Sequence, residues 1–399
     1  MAVLIWMIGR YWGLEALGLY TIISIFYTII ASAGTIGLSE FCLDSINQRR
    51  NFLEEKKNLY YAIYFLFVIG ICLAIFLFLL SETTHLIFDD FKILNSILAI
   101  KFLLLFLPFI LVNRVFQVIF FAKGDFLVAT VLPILRTSCL LGFGCYFIIY
   151  EDFEIGLIPL IFGLADLITF VVSISSAWKI LTGSFNYPDF KKFFQDYVSK
   201  PKLALIYQSM TVFYIKIDVI VAWCFFPLSD LGRYAFIALF GEMLAQIGIV
   251  IRNVSFKFIS DTFEILSRSE FTSFLNRLRL YSFGCCLIIA SLMIGFVITL
   301  SDILPVPIWP HYLEILIICC LWGSFYCALI SVDYSLMISG RFREQTNLCF
   351  GSLCVSSTFV GLGAYVWGLP AIPVALLIGT CLSLIVSIKK TNLKGVDNL

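Results

Sequence analysis

Read for the order of its apolar and polar positions, the chain is a succession of long apolar runs broken by short charged connections, from Met1 to Ile388. A helix needs about 20 mostly apolar residues to cross a hydrocarbon core about 30 Å thick. By that measure the pattern predicts spans at residues 1–13, 19–39, 59–80, 96–121, 127–150, 155–177, 203–226, 233–256, 280–300, 312–338, 346–366 and 369–388. The longest polar connections, residues 178–202 and 257–279, are too small to form a core of their own. The expectation is an all-α, polytopic membrane protein with about twelve transmembrane helices and no catalytic domain outside the bilayer.

Within the spans, polar residues recur at helical spacing. Tyr207, Thr211, Tyr214 and Asp218 fall at i, i+4, i+7 and i+11 of the seventh span, which places them on one stripe. Glu242, Gln246 and Asn253 share a face of the eighth, Asp166, Thr169 and Ser173 a face of the sixth, and Arg114 and Gln117 a face of the fourth. Lipid offers such stripes no partners, so they are expected to turn inward.

The two halves of the chain resemble each other. At an offset of 214 residues, Leu14, Leu17, Gly18, Tyr20, Ile23, Phe26, Ala31 and Gly34 match Leu228, Leu231, Gly232, Tyr234, Ile237, Phe240, Ala245 and Gly248. Further on, Gly124 and Phe126 match Gly340 and Phe342 at an offset of 216. Six spans separate the copies, an even number, so both copies run the same way and are related by an axis along the membrane normal. This predicts two pseudo-symmetric six-helix lobes, at residues 1–177 and 203–388, with a cytoplasmic linker at 178–202 and a tail at 389–399. Met1 then corresponds to Ile215, midway through the seventh span, so the first span lacks its inner half. Either a start codon assigned too late or a natural truncation is expected to account for this.

Composition and charge sharpen the picture. The chain of 399 residues is 61% hydrophobic and 13% charged, half the charge of an average soluble domain. Its net charge of +1 says little by itself, but the distribution is lopsided. With the N-terminus inside, the loops after even-numbered spans and the tail carry 19 Lys and Arg, against Arg10, Lys92 and Arg233 on the other side. Basic loops resist translocation, so both termini are expected in the cytoplasm. The 13 cysteines form no CxxC pair, and the two histidines, His85 and His311, lie apart, so neither a metal site nor any cofactor is expected. No feature points to nucleic acid.

Ionisable residues inside the spans need a reason to be there. Lys101, Arg252 and Glu314 lie near enough to an interface to reach water. Arg114, Arg136, Asp166, Lys216, Asp218, Glu242 and Asp333 do not, and seven unpaired charges facing lipid would cost roughly 17–25 kcal/mol. They are expected to face one another or a wet cavity. Rise per residue puts Arg136 and Asp166 at the same depth, about 14 Å from the inner face, so they can pair. That pair fits a tie between helices and a functional role equally well. Arg114 has no acidic neighbour on its own helix, which makes it the first candidate for an anion ligand. Lys216 lies nearly opposite Asp218 on the seventh span, so the two cannot share one spot.

The Leu17-Gly18-Leu19-Tyr20 turn, the Gly34–Leu38 helix end followed by Arg49 and Arg50, the Asp218–Tyr234 segment, and Gly124 and Gly340 after spans four and ten carry a resemblance. In that order, along twelve spans, they resemble the polysaccharide flippase family called Wzx, within the multidrug, oligosaccharidyl-lipid and polysaccharide (MOP) exporter superfamily. The short first span departs from the family pattern. The resemblance implies a transporter rather than an enzyme, working by alternating access on oligosaccharide units linked to undecaprenyl diphosphate. It also implies contact with membrane lipids and with polysaccharide assembly proteins. On this reading Arg114, Arg136, Lys216, Tyr207, Tyr214 and Gln117 would bind the cargo, the cations replacing the hydration of a diphosphate. Asp218, Glu242, Asp333 and Asp166 would bind a coupling proton or sodium ion. Two other functions stay open: a cation-coupled drug exporter of the same superfamily, and a membrane polymerase or glycosyltransferase. The first should favour carboxylates over cavity arginines; the second should carry a long outer loop, and the loops here are short.

Overall fold

The computed structural model describes residues 2–35, 38, 52–84, 101–122, 125–149, 158–181, 187–199, 202–265, 267–300, 304, 311–338 and 342–393. Among these residues the regular structure is helical: α1 (Ala2–Tyr11), α2 (Gly13–Ala33), α3 (Phe52–Thr84), α4 (Leu107–Ala122), α5 (Phe126–Ile149), α6 (Ile158–Leu181), α7 (Tyr187–Ser199), α8 (Lys202–Phe225), α9 (Leu228–Ile265), α10 (Arg268–Thr299), α11 (His311–Ile338), α12 (Phe342–Trp367) and α13 (Ala371–Leu393). The spans expected from sequence correspond in order to α1–α6 and α8–α13. Eight of these helices contain stretches long and apolar enough to cross a membrane, and the protein is an all-α, multi-pass membrane protein.

The chain separates into two compact units. Unit 1 comprises Met1–Ile5 and Leu19–Ser209, and unit 2 comprises Trp6–Gly18 and Met210–Leu399. In unit 1, α3, α4 and α6 share a core that includes Leu59, Leu66, Val112, Phe116, Ile119 and Ala177. The fourth span is interrupted. Helix at residues 101–104 gives way to a turn at 105–106, and α4 restarts with Pro108 in its first turn, where a missing N–H costs nothing.

The connection expected at 178–202 contains the helix α7. Its sequence is amphipathic, and Phe190, Phe193 and Tyr197 pack against Tyr61 and Phe65 of α3 with ring centroids 5.7–6.4 Å apart. Phe193 is fully buried while Lys191 and Lys192 stay exposed. The connection expected at 257–279 is also helical for most of its length, extending α9 to Ile265 and starting α10 at Arg268. There, Glu270 accepts hydrogen bonds from the Ser267 backbone N–H (3.0 Å) and hydroxyl (2.6 Å), closing the first turn.

Unit 2 is held by close backbone packing. A Cβ at Gly323 of α11 would collide with the Gly241 carbonyl oxygen of α9, and one at Gly241 with the Cys319 carbonyl. Gly248, two turns along α9, faces Cys327 in the same way. Small residues on both helices let their backbones meet, which substitutes for a hydrophobic driving force that is absent in lipid.

One sequence expectation fails instructively. The Leu17–Tyr20 segment is not a turn: α2 already begins at Gly13, whose φ of 85° makes the break. The α9 helix likewise starts at Leu228, five residues before the expected boundary, behind Pro227. Gly13 and Pro227 are repeat equivalents that stop the chain by different means, backbone freedom in one and a fixed φ in the other. Gly18 serves a different purpose. A Cβ there would strike the Leu228 carbonyl oxygen, and one at Gly232 would strike the Leu14 carbonyl oxygen. Leu14 and Leu228, and Gly18 and Gly232, are the pairs matched by the repeat, so this contact within unit 2 is reciprocal, as at a two-fold axis.

Candidate functional site

Polar side chains gather at two places, one in each unit. In unit 1, Arg136 of α5 donates through Nε to Asp166 Oδ1 of α6 at 3.0 Å. The same carboxylate oxygen accepts the Tyr27 hydroxyl at 3.2 Å, and Asn113 Nδ2 of α4 donates to the Asp166 main-chain carbonyl at 2.8 Å. The Arg136 guanidinium lies over the Tyr27 ring, 4.4 Å from its centroid, and 5.7 Å from that of Phe162. The Asp166 side chain is 1% exposed and that of Arg136 15%. Among the described residues the ion pair uses one hydrogen bond only, and Arg136 Nη2, Asp166 Oδ2 and Asn113 Oδ1 are buried without a partner. These three polar atoms, gathered in one cluster, have hydrogen-bonding capacity that the described protein groups do not use.

Beside this pair lies Arg114. It is half-buried on α4, close enough to Tyr27 to interact with it electrostatically, and it makes no ion pair among the described residues. Arg136 alone is seen to meet the Asp166 carboxylate, and Arg114 adds a positive charge within electrostatic reach of Tyr27. Gln117, one turn on, is likewise half-buried.

In unit 2, Lys216 of α8 pairs with Glu242 of α9 at 2.5 Å, both side chains about one-sixth exposed at 15% and 16%. Asp218, two residues along α8 and 2% exposed, accepts the Tyr234 hydroxyl at 2.7 Å, while its Oδ1 is buried without a partner. The opposed directions of Lys216 and Asp218 on α8 are resolved by two separate partners on α9. Of the two carboxylates here, only Glu242 meets the ammonium.

The tyrosine stripe of α8 splits. Tyr214 is buried, hydrogen-bonded to Thr380 of α13 (2.6 Å) and stacked on Tyr326 of α11 (5.7 Å), which itself stacks on Trp322 (5.8 Å). Tyr207 is half-buried, and Thr211 lies 3.7 Å from the Cys349 sulfur. Gln246 is exposed; the side chains of Asn253 and Asp333 lie outside the described residues. Tyr27 and Asn113 are not singled out by the sequence, and Tyr234 is singled out only as a repeat match and as the end of the Asp218–Tyr234 segment. Asn113 stands next to Arg114 inside a span and was a readable signal, whereas only the tertiary contacts connect the tyrosines to their carboxylates.

With this geometry in place, comparison with solved structures is informative. The fold resembles that of solved MATE transporters and of a lipid II flippase. An inward-facing multidrug-resistance MATE transporter of the MOP superfamily superposes with a TM-score of 0.71 at 14% identity, over 98% of this chain and 93% of that one. The lipid II flippase MurJ in an inward closed conformation gives 0.71 at 16% identity, over 98% and 84% of the two chains. A Pyrococcus furiosus MOP-superfamily transporter, described as having a binding pocket of reverse polarity, gives 0.68 at 15% identity, over 98% and 90%. No protein-family model matches the sequence, and comparison with curated proteins finds no match. The likeness thus resides in the fold, which is shared by drug exporters and by a lipid flippase.

Proposed function

We propose that this protein is a flippase that carries oligosaccharide units linked to a diphosphate lipid across a bacterial inner membrane by alternating access. The observation that supports it best is Arg114, a half-buried guanidinium within a span, in electrostatic reach of Tyr27 and with no carboxylate of its own among the described residues. A cation in that state is costly in lipid and is offset by an anion that arrives with the cargo. Arg136 and Lys216 have partners and would join only by exchanging them. Tyr207 and Gln117 would contact sugars, Tyr214 would join them only by leaving its Thr380 partner, and polysaccharide assembly proteins would receive the product. The surplus carboxylate in unit 2 supports a coupling proton or sodium ion at Asp218 and Glu242, with Asp166 and Asp333 as further candidates. That same surplus favours the second reading, a cation-coupled exporter of cationic drugs.

Arg114→Ala distinguishes them. The flippase reading expects loss of surface polysaccharide with normal membrane insertion, and partial retention in Arg114→Lys. Wild-type polysaccharide in Arg114→Ala, together with Asp218-dependent efflux of a cationic dye, would transfer the assignment to drug export.

A further inference from the structure

The apolar face of α7 is wider than the part that α3 covers. Phe190, Phe193 and Tyr197, which pack on Tyr61 and Phe65, take up about 60° of the helix circumference at 3.6 residues per turn. Phe194 stands about 40° beyond Phe190 on the same wheel. Its ring centroid lies 5.7 Å from that of Phe65, yet its side chain is still 42% exposed. Lys191, also exposed, is one turn back at i−3, so it borders Phe194 on the side away from α3. Lys192 lies on the opposite face of the helix, at i+3 from Asp189 and i−4 from Asp196.

What the uncovered side meets follows from α3. Tyr64, Val68, Ile71, Ile75 and Leu79 are exposed and fall at i, i+4, i+7, i+11 and i+15, a single stripe along the apolar stretch Asn58–Leu79. An exposed apolar stripe of this length on a membrane-spanning helix is covered by acyl chains. Tyr64, its first member, meets the Phe190 ring edge-on at 6.3 Å, so α7 leans against the foot of the lipid-facing stripe. Tyr61 and Phe65 stand three and seven residues inside that stretch, about 5 and 10 Å along the helix axis. An amphipathic helix resting at the boundary of headgroups and acyl chains buries its apolar face to the same depth, about 5–10 Å. Trp178, exposed at the last position of the apolar stretch of α6, places an interfacial aromatic at the end from which the chain continues into α7.

We propose that α7 is an interfacial helix that binds an anionic lipid surface. The Phe194 ring enters the acyl-chain edge of the leaflet beside α3, and the neighbouring Lys191 ammonium takes the phosphate of a headgroup. The same two directions serve one lipid layer, because ring and ammonium are adjacent on the helix and both point away from the packed face. Residues 178–202 hold five lysines against two aspartates, a positive balance that suits such a surface.

The full-length protein in nanodiscs of phosphatidylcholine, without or with added phosphatidylglycerol, tests this. Hydrogen exchange over residues 187–199, read by mass spectrometry, should slow about fivefold when phosphatidylglycerol is present, the effect of one lysine at an anionic surface. In Lys191→Gln that slowing should vanish, and in Lys192→Gln it should persist. Wild-type exchange that ignores phosphatidylglycerol overturns the proposal, as does slowing that survives in Lys191→Gln or disappears from both variants alike. A photoreactive benzoylphenylalanine in place of Phe194 should cross-link to acyl chains, whereas one in place of Lys192 should not. Absence of a lipid adduct at Phe194, or an adduct there with protein, overturns the proposal by giving the face to another occupant. The wild-type exchange needs no substitution, so it decides even where a variant fails to fold. Cargo enters neither readout, and failure here leaves the flippase reading standing.

Discussion

Replacing Asp166 with Asn keeps the shape of the side chain and removes the charge that Arg136 faces. Asp166 is 1% exposed, and Arg136, stacked over Tyr27 and 15% exposed, has no other acidic partner among the described residues. Removing one member of a buried pair costs about 3–5 kcal/mol, because the surviving charge loses its compensation. The residual exposure of Arg136 and its aromatic contact favour the lower end, about 3 kcal/mol, equivalent to roughly a hundredfold in the unfolding equilibrium. Replacing both residues by apolar ones of similar volume, Arg136→Met with Asp166→Leu, should instead fall within about 1 kcal/mol of the wild type. Denaturant unfolding in mixed micelles, followed by helicity, of the wild type, Arg136→Met, Asp166→Leu and the double variant measures all four corners of the cycle and yields a coupling energy of about 2 kcal/mol or more. An Asp166→Asn variant within about 0.5 kcal/mol of the wild type would refute the reasoning, because ordinary surface changes reach that size. The double variant then separates structure from transport: if it is stable and still delivers surface polysaccharide, the pair ties α5 to α6; if it is stable and inactive, the pair belongs to the transport path.

Other outcomes follow from single contacts. Gly323→Ala should destabilise unit 2 by about 1–3 kcal/mol in a thermal melt, since the obstacle is the Gly241 backbone, while Gly361→Ala, where a Cβ meets nothing, should be neutral or gain up to about 1 kcal/mol from helix propensity. Equal melting of the two would dismiss the close-packing account. Gly18→Ala and Gly232→Ala should cost similar amounts, as their collisions with Leu228 and Leu14 are reciprocal; a cost at one position alone would remove the two-fold reading. Tyr234→Phe strips Asp218 of its hydroxyl donor and should cost about 1.5–3 kcal/mol in the same melt, against no loss for a tyrosine at the exposed end of a helix such as Tyr365→Phe.

Apolar run length made the membrane class and the order of helices legible from sequence, because a bilayer demands an uninterrupted apolar segment whatever the neighbours are. Equal rise along α5 and α6 brought Arg136 and Asp166 to one depth, and the repeat offset paired Gly18 with Gly232. Other features were not local. Gly18 reads as a turn residue in sequence because glycine permits turns; it stands inside a helix because a second backbone needs its missing Cβ. Which carboxylate Lys216 meets, and that Tyr234 rather than a cation satisfies Asp218, depends on how α8 rotates against α9, which no periodicity on one helix encodes. The placing of Arg114 and Arg136 around Tyr27, and of Asp218 near Glu242, likewise arises only when residues far apart in the chain share a cluster, since net local charge is a property of packing and not of order along the chain.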